Sequence, residues 1–182
     1  AERGYEAATM TEIAAKAGAS IGSLYQFFPT KEAVADALRT RLRDAFMADL
    51  DVLAQSARSM TAEELAARLL GLLPGFFSRH PAFPAIAEAR RLPRTSAASV
   101  RHGWRAAIAR VLEAYAPDMP ETQSAPAAAV VFELMKANAA LSAEPGLRSR
   151  RPALDDMQAI VRNYLPAPSR AGRRQHDAAK KG

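Results

Sequence analysis

Between Thr9 and Glu32 the sequence TMTEIAAKAGASIGSLYQFFPTKE is punctuated too closely for long helices and too regularly for a loop. The Thr9 hydroxyl is placed to accept from the N–H groups of a first helical turn, and Glu12, three residues on, reaches back to complete a capping box. A helix therefore starts at Met10. Along it Met10, Ile13, Ala14 and Ala17 recur at the i, i+3, i+4, i+7 spacing of one buried face, and Gly18 stands where a left-handed residue ends a helix. Ser20 caps a second helix over residues 21–28, about 12 Å long at 1.5 Å per residue. Pro29 disfavours a helical Phe28 and stops it. Thr30 is the next cap, and Lys31, Glu32 and Val34 open a third, long helix. Any fold of this chain must accommodate two short helices turning at a glycine with a long one directly behind.

Such a pair leaves its short second helix free to enter the major groove of duplex DNA. Counted at 100° per residue from Leu24, the apolar Ile21, Phe27 and Phe28 fall within about 60° and form a packing face with it. Gly22 and Gln26 lie opposite, flanked by Ser23 and Tyr25. Gln26 can hydrogen-bond base edges, Ser23 and Tyr25 can reach phosphates or bases, and Gly22 lets the backbone come close. Lys31 is placed as a phosphate anchor at the next helix start.

The segment GASIGSLYQFFPTKEA, with RGYEAATMTEIAAKAG before it, resembles the DNA-binding domain of the TetR family of bacterial transcriptional regulators. Gly4-Tyr5, the Thr9 cap, Ile13-Ala14, Ala17-Gly18, Leu24-Tyr25, Phe28 and Lys31-Glu32 carry the likeness; the rest of the chain matches only in architecture. The resemblance implies that Thr11, Ile21, Gly22, Ser23, Tyr25 and Lys31 occupy the family's DNA-contact positions. Ile21 stands where the family often has a polar or basic residue, so two readings are open there, a thymine methyl contact or inward packing. Gly22 likewise serves either backbone approach or helix packing. Ala1 to Tyr5 resembles the last turn of the family's first helix, with the preceding turns and any basic arm absent from the chain.

Charge adds little to this. The net charge is +6 and the pI near 10.1, which suits a polyanionic partner. Within residues 1–45, however, Arg3, Lys16, Lys31, Arg39, Arg41 and Arg43 are cancelled by Glu2, Glu6, Glu12, Glu32, Asp36 and Asp44. Much of the excess sits in the tail at 166–182, which reads as a basic, disordered, solvated segment. Alanine dominates and β-branched residues are sparse, so the chain reads as all-α, a helix-turn-helix head joined to a helical body. The domain boundaries expected are 1–45 for the DNA-binding head, 46–165 for an effector-binding and dimerisation body, and 166–182 for the tail. The chain has no cysteine, no run of apolar residues long enough to span a membrane, and no visible signal-peptide pattern, so a soluble, cytoplasmic protein is expected.

Beyond the head, the third helix is expected to run to about Ser59 with Val34, Leu38, Leu42, Ala45, Leu50 and Leu53 as its stripe. A Thr61-x-x-Glu64 capping box begins another, ending near His80 with a kink at Pro74-Gly75. A short helix to Arg91 and longer ones over 96–116, 122–143 and 152–165 follow. In the resembled family the last two helices pack into a four-helix dimer interface. Ala127, Val130, Val131, Leu134, Ala137, Leu141, Leu154, Met157, Ile160, Val161 and Leu165 supply the apolar residues for it, or else close the monomer core. Leu72, Phe76, Phe77, Phe83, Ile86, Trp104, Ile108, Phe132 and Met135 either line a cavity for an unknown small-molecule effector or form ordinary core. Arg90, Arg91, Arg105 and Glu133 are its candidate polar contacts.

The function expected is a sequence-specific DNA-binding regulator, a repressor that holds a palindromic operator as a homodimer and is released by its effector. The alternative is a helical protein-interaction module that does not use its head. No enzyme is expected: His80, His102 and His176 fall into no HExxH or paired ExxH, and there is no phosphate-binding glycine loop. Neither a cofactor nor a metal is called for.

Overall fold

The computed structural model describes residues 4–83 and 94–167. Among these the chain is all-α, with eight helices and no strand: α1 Gly4–Ala7, α2 Met10–Lys16, α3 Ile21–Phe27, α4 Lys31–Ala57, α5 Ala62–Arg79, α6 Arg94–Tyr115, α7 Glu121–Ala143 and α8 Arg150–Tyr164. The expected short helix ending near Arg91 and the tail beyond Ala167 lie outside the described residues, as do Ile86, Arg90 and Arg91.

Local chemistry sets most boundaries. The Thr9 Oγ1 accepts from the Glu12 N–H at 3.2 Å while the Glu12 carboxylate accepts from the Thr9 N–H at 3.0 Å, the reciprocal box expected at the start of α2. At the other end Gly18 adopts φ 65°. Its N–H donates to the Ala15 carbonyl at 3.2 Å, and the Ala19 N–H donates to that of Ala14 at 3.0 Å, the paired bonds of a Schellman ending. The Ser20 hydroxyl accepts from the Ser23 N–H at 3.0 Å, the Thr30 hydroxyl from Ala33 at 3.2 Å and the Thr61 hydroxyl from Glu64 at 3.2 Å. α5 runs through Pro74 to Arg79, next to the end expected near His80.

The chain divides into two compact units, one of residues 1–45 with 77–100 and one of 46–76 with 101–182. α4 starts in the first and ends in the second. In the first unit Ala14, Leu24, Ala35 and Leu42 are buried, and Phe77 stacks on Phe83 with centroids 5.6 Å apart.

The second unit has an aromatic core. Phe46 meets the edge of Phe76 at 5.2 Å and Trp104 at 4.8 Å, and Trp104 meets Phe132 at 5.8 Å. Leu50, Leu53 and Ala57 extend the Phe46 face of α4 at helical spacing, and Leu65, Leu69, Leu73, Ile108, Val111, Leu112, Val131, Met135 and Val161 complete the packing. The stripe read from the sequence was incomplete: Phe46 and Ala57 are fully buried, whereas Val34, Leu38 and Ala45 are only half-buried.

Proline places one long-range bond in this core. Pro74 has no N–H for the Leu70 carbonyl one turn earlier, and Leu70 is buried. The buried Asn138 of α7 donates its side-chain amide to that carbonyl at 3.0 Å. The interaction satisfies a group whose desolvation would otherwise cost about 1–3 kcal/mol.

Candidate nucleic-acid interface

α2 and α3 pack on each other, and the Schellman turn at Gly18 fixes the path between them. On α3 the Leu24 side chain is buried and Phe28, just past its end, is half-buried, so this edge is the one held against the unit. The opposite side is bare. Gly22 and Gln26 are exposed, Tyr25 is 51% exposed and Ser23 is half-buried. Thr11 is exposed in the first turn of α2. A Cβ added at Gly22 would meet no atom within 4 Å, so no neighbouring side chain requires glycine there.

Two residues depart from the helical projection. Phe27, placed on the packing face by its angle, is 75% exposed, and Ile21 is 39% exposed. Both lie about 60° from Leu24, at the margins of the contact, and the packed strip is narrower than that angle. Phe27 was missed as a surface residue. Nothing in the sequence separates it from Phe28, because both lie on the Leu24 side of the helix by angle.

Lys31 is held by its own chain. Its ammonium donates to the carbonyls of Tyr5 at 3.1 Å and Glu6 at 3.0 Å, the exposed end of α1, and lies 4.7 Å from the centre of the Tyr5 ring. The Tyr5 hydroxyl donates to Glu32 Oε1 at 3.4 Å. This clasp joins the end of α1 to the start of α4. The Glu32 carboxyl lies below its ordinary range chiefly because its own backbone N–H bonds it, with Thr30, Tyr5 and Lys31 adding to the effect. Neither carbonyl takes the third ammonium proton of Lys31.

Residues 1–38 match the family model of bacterial regulatory proteins, tetR family. This is the N-terminal domain of a TetR-family regulator. The chain is accordingly a DNA-binding transcriptional regulator, and the helix-turn-helix of that domain is α2 and α3. No curated protein matches the chain. None of the described helices is long and apolar enough to cross a membrane.

The residues expected around an effector fall into separate groups in this TetR-family chain. Phe76, Trp104, Ile108, Phe132 and Met135 are buried together in the second unit, in ring contact where aromatic, and Leu72 is half-buried. Phe77 and Phe83 belong to the first unit. Arg105 and Glu133 pair with each other at 3.1 Å, and the guanidinium and the Lys136 ammonium lie 5.8 and 5.3 Å from the Phe132 ring centre. The sequence reading did not single out Tyr115. Its side chain is fully buried, its hydroxyl has no hydrogen-bond partner among the described residues, and burial raises its pKa.

Proposed function

We propose that the protein is a homodimeric repressor that reads a palindromic operator and is released by a small-molecule effector in the cytoplasm. The observation that carries DNA reading is the bare face of α3, where Ile21, Gly22, Tyr25 and Gln26 are exposed on a helix capped at its start and held by Leu24. Thr11 and Ser23 add hydroxyls beside it, and Lys31 supplies its remaining N–H to a phosphate.

Dimerisation is supported by a second apolar stripe on each of the last two helices, which pack on each other. On α7, Val130, Leu134, Ala137 and Leu141 repeat at i, i+4, i+7, i+11 beside the buried stripe and are exposed or half-exposed. On α8, Ala153, Met157, Ile160 and Tyr164 repeat the spacing, and Ile160 is 53% exposed. A second copy covering these stripes would also give the two-fold symmetry that a palindrome needs. For the effector, the second unit offers an aromatic core and the unpartnered Tyr115 hydroxyl, which a polar ligand atom would satisfy. An effector that binds one conformation of that unit better shifts the population and, through linkage, the operator affinity.

The test is selection from a randomised duplex library by the full-length protein at stated near-physiological salt. Recovery of one palindromic site is expected. No enriched sequence from folded, effector-free protein would favour an interaction module instead.

A further inference from the structure

The sequence of α3, IGSLYQF, contains no acid or base apart from the Tyr25 phenol. Arginine and lysine are the side chains that read guanine through O6 and N7, and carboxylates accept from cytosine N4. α3 has none of these. It presents instead Gln26, whose amide matches adenine N6 and N7, and two apolar side chains in water, Ile21 at 39% and Phe27 at 75% exposure. Phe27 is the more exposed of the two and keeps most of its ring available to a partner.

The two residues lie on opposite flanks of the Gly22 and Gln26 face, each about 120° from its middle. Thymine C5-methyl groups project at the margins of the major groove, each beside its own strand's backbone. An inserted helix therefore meets hydrogen-bonding edges at its centre and methyl groups at its flanks. Six residues separate Ile21 from Phe27, about 9 Å along the helix, or two to three base-pair steps of about 3.4 Å.

We propose that Ile21 and Phe27 are specificity residues that read thymine methyl groups, so that the base pairs under α3 are A·T. The inference rests on the DNA-binding reading and adds the identity of the bases. The test takes the selected operator and replaces thymine by deoxyuridine, which removes the methyl group and nothing else. With the wild-type full chain at fixed salt, affinity should fall about fourfold for each methyl read, the worth of one buried carbon. Ile21→Ala and Phe27→Ala should each lose part of that discrimination, with thermal melts confirming that they fold. Equal affinity of the wild-type protein for both duplexes would overturn the inference, as would G·C pairs beneath α3; either result leaves DNA binding intact. Failure to enrich any sequence would instead remove the DNA-binding reading, and this inference with it.

Discussion

Gly22 occupies the second position of α3 with open space where a Cβ would stand. Glycine in a helix costs about 1 kcal/mol relative to alanine, so the position is destabilised without any packing reason inside the described chain. Close approach of a DNA backbone, as proposed above, would supply one. Gly22→Ala should therefore raise the melting temperature while lowering operator affinity several-fold, two effects of opposite sign in one variant. If affinity were unchanged, Gly22 would have no part in the interface. Gly18 behaves differently because its φ of 65° strains any side chain. At Asn138 the cost is a lost bond: Asn138→Ala leaves the Leu70 carbonyl buried and unpaired, a loss of about 1–3 kcal/mol in denaturant unfolding. Pro74→Ala restores a backbone N–H one turn after Leu70, so in that background the Asn138 substitution should cost clearly less. Additive losses would mean that the proline is not what makes the amide necessary.

Inside α8 Val161 is the one buried residue, and Ser149 gives no side-chain cap. Glu63 in the first turn of α5 compensates by accepting from Arg162 Nη1 at 3.0 Å and from the Gln158 amide. The Arg162 bond is the main reason its carboxyl lies below the ordinary 4.5, with Gln158 next. A depressed folded-state pKa means that the link is complete at neutral pH and is lost as pH falls below 4.5 through the lower folded value. The group is mostly exposed, so its worth is at most about 1 kcal/mol. Glu63→Gln should lower the melting temperature slightly at pH 7, by an amount that shrinks as pH falls through the lowered folded value; an effect that did not shrink with acid would rule out the charge as its cause. Helix positions were largely legible in the sequence, because caps such as Thr9 and Thr61, the stop at Gly18 and apolar spacing all act within one or two turns. The bonds from Glu63 to α8 and from Asn138 to Leu70 were not. They join residues far apart in sequence, and only the packed helices decide which polar groups meet.

At the scale of the whole molecule, the position of α3 was legible for the same local reason, and its surroundings were not. Angle alone placed Phe27 inward, whereas exposure depends on how far a neighbouring element reaches. Nor does Lys31 itself reveal that the end of α1 holds its ammonium. The same ambiguity attends α7 and α8, where one apolar stripe is buried and the adjoining one is exposed or half-exposed. Leu154, Val161 and Leu165 turn inward to varying degree, while Ile160 and Tyr164, one residue earlier in register, remain exposed. A charge at Ile160 therefore separates association from folding. Ile160→Lys should leave the helical signal and melting profile of the monomer intact and shift sedimentation towards the 19.6 kDa chain. Because a dimer gains the second half-site as an effectively intramolecular contact, affinity for the full palindrome should drop by about a hundredfold or more, with a lone half-site bound as before. A variant that stayed dimeric and kept its operator would place the subunit contact elsewhere and leave these stripes without a partner.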